Sequence, residues 1–130
     1  EEADFSFSGI KTAVVNLMHN AAQKGETLSK ADIAASFQRA VCDTLTLKAV
    51  HAAKEHGFNT LALAGGVSAN RALRSSLARA CEEQGIRFCC PDFRYCTDNA
   101  AMIACAGHYA LMAGELSGLD LNAAPDLELV

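Results

Sequence analysis

The chain has 130 residues, is 51% hydrophobic and carries a formal net charge of -4. That is enough for one domain with a core of its own. With no basic run anywhere, it excludes a strong electrostatic pull on nucleic acid, so any RNA contact has to rest on a partner or on scattered Lys and Arg. The chain opens at Glu1, directly into a patterned segment, as expected of a piece of a longer protein; neither a signal peptide nor a membrane span is read in it. Six cysteines, Cys42, Cys81, Cys89, Cys90, Cys96 and Cys105, form no C-x-x-C pair. Most lie beside alanines, which predicts small buried thiols in a reduced, cytoplasmic protein rather than a disulfide framework.

Phe5 and Phe7 alternate with Ser6 and Ser8 before Gly9, a pattern that predicts a short, half-buried strand ending in a turn. Ile10, Val14, Leu17, Met18 and Ala21 then recur at helical spacing up to Gly25. Lys11 and Thr12 complete a Ser-Gly-x-Lys-Thr string, but the full spacing of a phosphate loop is missing, and they read as solvated residues of a helix start. Ser29 is placed to cap a long helix that ends at Gly57, with Asp32 in its first turn. Its expected buried stripe is Ile33, Phe37, Ala40, Val41, Thr44, Leu45 and Ala52. His51 and His56 fall about 140° apart round its axis and are poor joint metal ligands.

The string LALAGGVSANRALR begins with residues 61–64, apolar without alternation, which predicts a strand covered on both faces of a sheet with parallel character. Gly65 and Gly66 end it. A pair without Cβ atoms permits positive φ and a close approach of backbone to a ligand, beside the unpaired N–H groups of a helix start. This is either an anion or nucleotide cradle or a tight corner. Asn70, one turn into a helix over residues 68–84, has an amide that both donates and accepts, which suits a ribose or a carboxamide. That helix buries Leu73, Leu77 and Ala80 and stops at Gly85.

Residues 86–89 form the next predicted strand, and Pro91 leads into an irregular loop carrying Phe93, Arg94 and Tyr95. The last helix is predicted to begin at Thr97 or Asp98. From 100 to 113 it is rich in Ala and Gly, as a central, covered helix is. Residues 1–116 are read as the folded part and 117–130 as a loosely held tail, with Gly118, Pro125 and the acidic Asp126 and Glu128. Asp98 has two readings, a helix cap or a hard oxygen ligand for a divalent ion. The chain has no His-x-x-x-His pair to complete a metal site, so it holds only half of one.

Three strings in this order and spacing, FSFSGIKTAV, LAGGVSANRALR and CTDNAAMIACAG, resemble the C-terminal half of the TsaD family, the bacterial tRNA N6-adenosine threonylcarbamoyltransferases once called O-sialoglycoprotein endopeptidases. The resemblance implies an α/β fold, here a helix-rich lobe of the actin-like, Hsp70-like ATPase (ASKHA) fold with a small sheet. It implies transfer of a threonylcarbamoyl group from threonylcarbamoyl-AMP to N6 of adenosine 37 in ANN-decoding tRNAs. Asp98 matches the family's metal-binding aspartate, for one iron or zinc ion also held by two upstream histidines. Asn70, Gly65 and Gly66 match its substrate-binding residues. The implied partners are tRNA, a TsaB-like paralogue and a TsaE-like ATPase.

The upstream lobe and its histidine pair are missing from these residues, so the fragment alone is expected to be inactive, with an exposed apolar patch and a tendency to self-associate. A related carbamoyltransferase and the inactive partner paralogue stay open, although the T-D-N string argues against the paralogue. So does a metal-free interaction module. If the cradle is real, the Asp98 carboxylate and the backbone near Gly66 are expected to share one cleft, with the Asn70 amide on its rim.

Overall fold

A computed structural model describes residues 5–123; Pro125, Asp126 and Glu128 lie outside the described residues. The chain divides into two compact units, Glu1–Cys96 and Thr97–Val130.

The first unit opens with α1 (Phe7–Gln23), not with a strand. Ser6 is extended (φ -105°, ψ 104°), and its hydroxyl accepts from the Gly9 N–H at 3.2 Å, so the serine that seemed to alternate in a strand caps a helix instead. Phe5 packs edge-on against Phe7, ring centroids 4.6 Å apart. The helix ends where expected, at Gly25.

Helix α2 (Lys30–Glu55) is capped by Ser29, whose hydroxyl accepts from the Asp32 N–H at 3.3 Å. At 26 residues it extends about 39 Å. Its buried stripe is Val41, Cys42, Thr46, Val50 and Ala53, rotated from the expected one: Ala40 is exposed, and Thr44, Leu45 and Ala52 are half-buried. The rotation follows from what covers the helix.

Helix α3 (Arg71–Glu83) presents Leu73, Leu77 and Cys81, all 2% exposed or less, on one face at four-residue spacing. Cys42 packs with Leu73 and Leu77, while Val50 and Ala53 pack with Cys81 and Ile86. Thr46 Oγ1 donates to Ser76 Oγ at 3.0 Å, and Lys54 Nζ to Gln84 Oε1 at 2.6 Å, tying α2 to α3 along their length.

Strands β1 (Thr60–Ala62) and β2 (Arg87–Cys89) pair in parallel with Leu61 opposite Phe88, joined through α3 as a parallel pair requires. Among the described residues the sheet has two strands, not three, because Phe7 and Ser8 lie in α1 and Ser6 caps it. Leu61, Leu63 and Phe88 pack against α2 and α3, whereas Ala62, Ala64 and Cys89 are exposed. The strand is therefore covered on one face only, contrary to the double covering its unbroken apolar run predicts. Buried thiols are found at Cys42, Cys81 and Cys96, but Cys89, Cys90 and Cys105 are exposed.

The second unit holds α4 (Ala100–Met112). It carries no buried residue, and Met102, Ile103, Tyr109, Leu111 and Met112 are exposed, so the covered helix expected from its Ala and Gly content is not seen. The same features form the predicted exposed apolar surface. In the first unit, Val14, Val15, Met18, Ile33, Ala34 and Phe37 line a further apolar hollow of about 690 Å³ between α1 and α2. No helix among the described residues is long and apolar enough to cross a membrane.

Candidate functional site

Parallel strands send their carboxyl ends to the same edge of a sheet, where open α/β sheets bind ligands. At that edge β1 runs into the glycine turn and β2 into the 90–96 loop. Gly65 has φ +82°, a conformation that L side chains rarely adopt. Gly66 opens a 3₁₀ turn, Gly66–Ala69, closed by the Ser68 N–H on the Gly65 carbonyl (3.0 Å) and the Asn70 N–H on the Val67 carbonyl (2.9 Å). A Cβ added at either glycine would meet nothing within 4 Å. The turn therefore presents open backbone. Ser68 is fully buried at its root, and its hydroxyl has no hydrogen-bond partner among the described residues.

The intervening turn delays α3. The helix begins at Arg71, and Asn70 is its cap rather than a residue one turn inside it. Its Oδ1 accepts from the Ala72 and Leu73 N–H groups at 2.9 and 3.2 Å. The first N–H groups expected to point outward unpaired are thus partly satisfied from within, and the Nδ2 donor of Asn70 is without a partner among the described residues.

The sequence did not single out Arg74. Its Nε donates to the Ser68 carbonyl, its Nη2 to the Pro91 carbonyl (2.6 Å) and to Cys96 Sγ (3.0 Å), and its Nη1 to Cys90 Sγ (3.4 Å). The guanidinium also lies 4.1 Å from the centre of the Phe93 ring, with Arg71 at 5.5 Å from the same ring. The available signal was spacing: Arg74 follows Asn70 by one helical turn, and so faces the same mouth.

In the second unit the cap of α4 is Asn99, not Asp98. Asn99 Oδ1 accepts from the Met102 N–H at 3.0 Å, and its Nδ2 donates to the Thr97 carbonyl at 2.9 Å. Asp98 is exposed, with no hydrogen bond or ion pair among the described residues. A carboxylate next to a neutral cap, itself relieved of capping, keeps both oxygens available as hard ligands. Among the described residues, no three His, Cys, Asp or Glu side chains gather as a metal set. Asp98 therefore fits one ligand of a shared site, not a whole one. His51 faces Glu55 at 3.6 Å on α2.

Residues 1–105 match the family described as TsaD, tRNA N6-adenosine threonylcarbamoyltransferase. A protein of that name from Caldicellulosiruptor saccharolyticus is 48% identical over 130 residues, covering 100% of this chain and 39% of the relative. One from Staphylococcus aureus is 47% identical over 126 residues, covering 97% of this chain and 37% of the relative. The chain thus spans about two fifths of the length of the curated relatives it matches.

Proposed function

The chain belongs to the TsaD family, and on that premise we propose that it forms the C-terminal part of a tRNA-modifying transferase that moves the threonylcarbamoyl group from threonylcarbamoyl-AMP to N6 of adenosine 37. The bond from N6 to the carbamoyl carbon forms as the bond from that carbon to the phosphate oxygen breaks; N6 gives up one proton, and AMP leaves with the electron pair. The observation that carries this reading is the open glycine turn at the carboxyl end of β1, with the unpaired Asn70 Nδ2 on its border. Gly65 and Gly66 let the adenylate approach the backbone, and Asn70 orients it by donating a hydrogen bond.

Asp98 would supply one oxygen to a divalent iron or zinc ion completed by upstream histidines. When bound, such an ion polarises the carbamoyl carbonyl as a Lewis acid. The surrounding lobe has the actin-like, Hsp70-like fold. The working protein is cytoplasmic and acts with tRNA, a TsaB-like paralogue and a TsaE-like ATPase. The isolated fragment is inactive.

The test uses the full-length parent. Asp98→Asn removes the anionic oxygen while Asn99 still caps α4, so fold and thermal midpoint are expected to hold while metal content and threonylcarbamoyl transfer fall sharply. Asn99→Ala is the control, costing about 1 kcal/mol of helix stability with the metal retained. An Asp98→Asn protein that keeps its metal and most of its rate refutes the assignment.

A further inference from the structure

Arg74 carries an arrangement that neither capping nor core packing requires. Its three guanidinium nitrogens all engage acceptors, and those acceptors lie on two different segments: Ser68 in the glycine turn, and Cys90, Pro91 and Cys96 in the loop after β2. The side chain is half-buried with its guanidinium carbon over the Phe93 ring. None of the acceptors is a carboxylate, so charge pairing does not explain the choice of arginine. A planar fork of five N–H groups does, since it reaches several fixed acceptors at once and stacks on an aromatic face. A lysine donates its three N–H groups from a single nitrogen and has no plane to stack on the ring, so it cannot reproduce this spread of four acceptors.

Without such a bridge the two loops are separate excursions from adjacent strands. Each is restrained internally only by short-range contacts: the glycine turn by two backbone hydrogen bonds, and the 90–96 loop by the 3₁₀ turn at Phe93–Tyr95, the Cys96 thiol on the Asp92 carbonyl (3.5 Å) and the exposed Asp92–Arg94 ion pair (3.6 Å). The cradle is made from exposed backbone, so its geometry depends on how firmly these segments are held.

We propose that Arg74 is a positioning residue for the transferase, holding the glycine turn and the 90–96 loop at a fixed separation so that the backbone at Gly66 and the Asn70 amide meet the adenylate in one geometry. This rests on the function proposed above. Arg74 itself makes no contact with substrate in this scheme. A cradle that must be ordered on binding loses affinity first, so the effect falls on KM more than on kcat.

The experiment compares Arg74→Lys and Arg74→Gln with the unaltered full-length parent in two measurements. In steady-state transfer, KM for threonylcarbamoyl-AMP is expected to rise about tenfold or more in both variants, with kcat within about threefold. In hydrogen exchange without ligand, the amides of 66–69 and 91–96 are expected to exchange faster in both, while those of α2 do not change. Lysine fails to rescue because the fork, not the charge, is what matters. A fall in thermal midpoint with KM and loop exchange unchanged makes Arg74 a stability residue and overturns the proposal, as does full rescue by lysine. If the unaltered parent transfers no threonylcarbamoyl group, the functional reading fails, yet the exchange measurement still decides whether Arg74 holds the two loops.

Discussion

Gly66→Ala separates a ligand cradle from a mere corner more cleanly than any other change in the first unit. The two glycines of the turn differ. Gly65 sits at φ +82°, where a side chain is strained whatever the space, so Gly65→Ala costs about 1–3 kcal/mol in either reading. Gly66 has no such constraint and its Cβ would meet nothing within 4 Å. Replacing it by alanine is therefore free of strain and reduces the entropy of the unfolded chain, a gain of about 0.4–1 kcal/mol. A corner predicts a protein that is slightly more stable and equally active. A cradle predicts a different outcome, because the new methyl group occupies the space that the adenylate needs against the backbone. Displacing reacting atoms by about 1 Å costs on the order of 100-fold in rate. The assay is kcat/KM for threonylcarbamoyl-AMP with tRNA in the full-length parent, with the thermal midpoint taken on the same preparation. Unchanged kcat/KM together with a raised midpoint refutes the cradle.

Leu73→Ala removes a side chain 1% exposed at the junction of α2, α3 and both strands, and is expected to cost about 2–5 kcal/mol, read by urea denaturation. Burial raises the Cys42 and Cys81 thiols above their ordinary value of 9.0, with the Asp43 carboxylate a second cause at Cys42. The unfolded chain then releases these protons first, so their contribution is intact below about pH 9 and is lost as pH rises through the folded values; denaturation midpoints from pH 7 to 10 should fall less steeply in Cys81→Ala. The exposed apolar residues of α1 and α4 should drive self-association of the 130-residue fragment, and a clean monomer in sedimentation at high concentration counts against it.

The scaffold was legible where a signal was local and uncontested. Ser29, Asp32 and Gly57 bracket α2 because cap, dipole and stop agree, and Leu73 and Leu77 fall on the core at helical spacing. The misreadings share a cause: several residues competed for one role. In FSFS the alternation spans four residues, too few to tell a strand from a cap followed by a helix, and Ser6 took the cap. In TDN three neighbours can all cap a helix, and the backbone gave the role to Asn99, whose φ and ψ of -151° and 154° are extended. Burial of α4 and of the outer face of β1 depends on what packs there, which composition does not encode. Arg74 escaped notice because three of its four acceptors, Cys90, Pro91 and Cys96, lie 16 to 22 residues away in sequence, and no motif records such a clamp.

Neutral caps at two of the signature helices, α3 and α4, lead to a last prediction. Asn70 and Asn99 cap α3 and α4, and neither helix has an acidic residue in its first turn, whereas α2, outside the signature strings, carries Asp32 there. Aspartate is as good a cap as asparagine and complements the helix dipole, by about 0.3–1 kcal/mol. Stability alone therefore does not favour asparagine at position 70. Asn70→Asp keeps the two accepted hydrogen bonds and should hold or raise the thermal midpoint. It removes the Nδ2 donor and places a negative charge beside the turn proposed to receive an anionic adenylate. KM for threonylcarbamoyl-AMP should rise in the full-length parent, and part of the rise should disappear at high salt, where the repulsion is screened and the lost hydrogen bond is not. A KM unchanged at both low and high salt would mean that Asn70 only caps α3, and that the adenylate lies elsewhere.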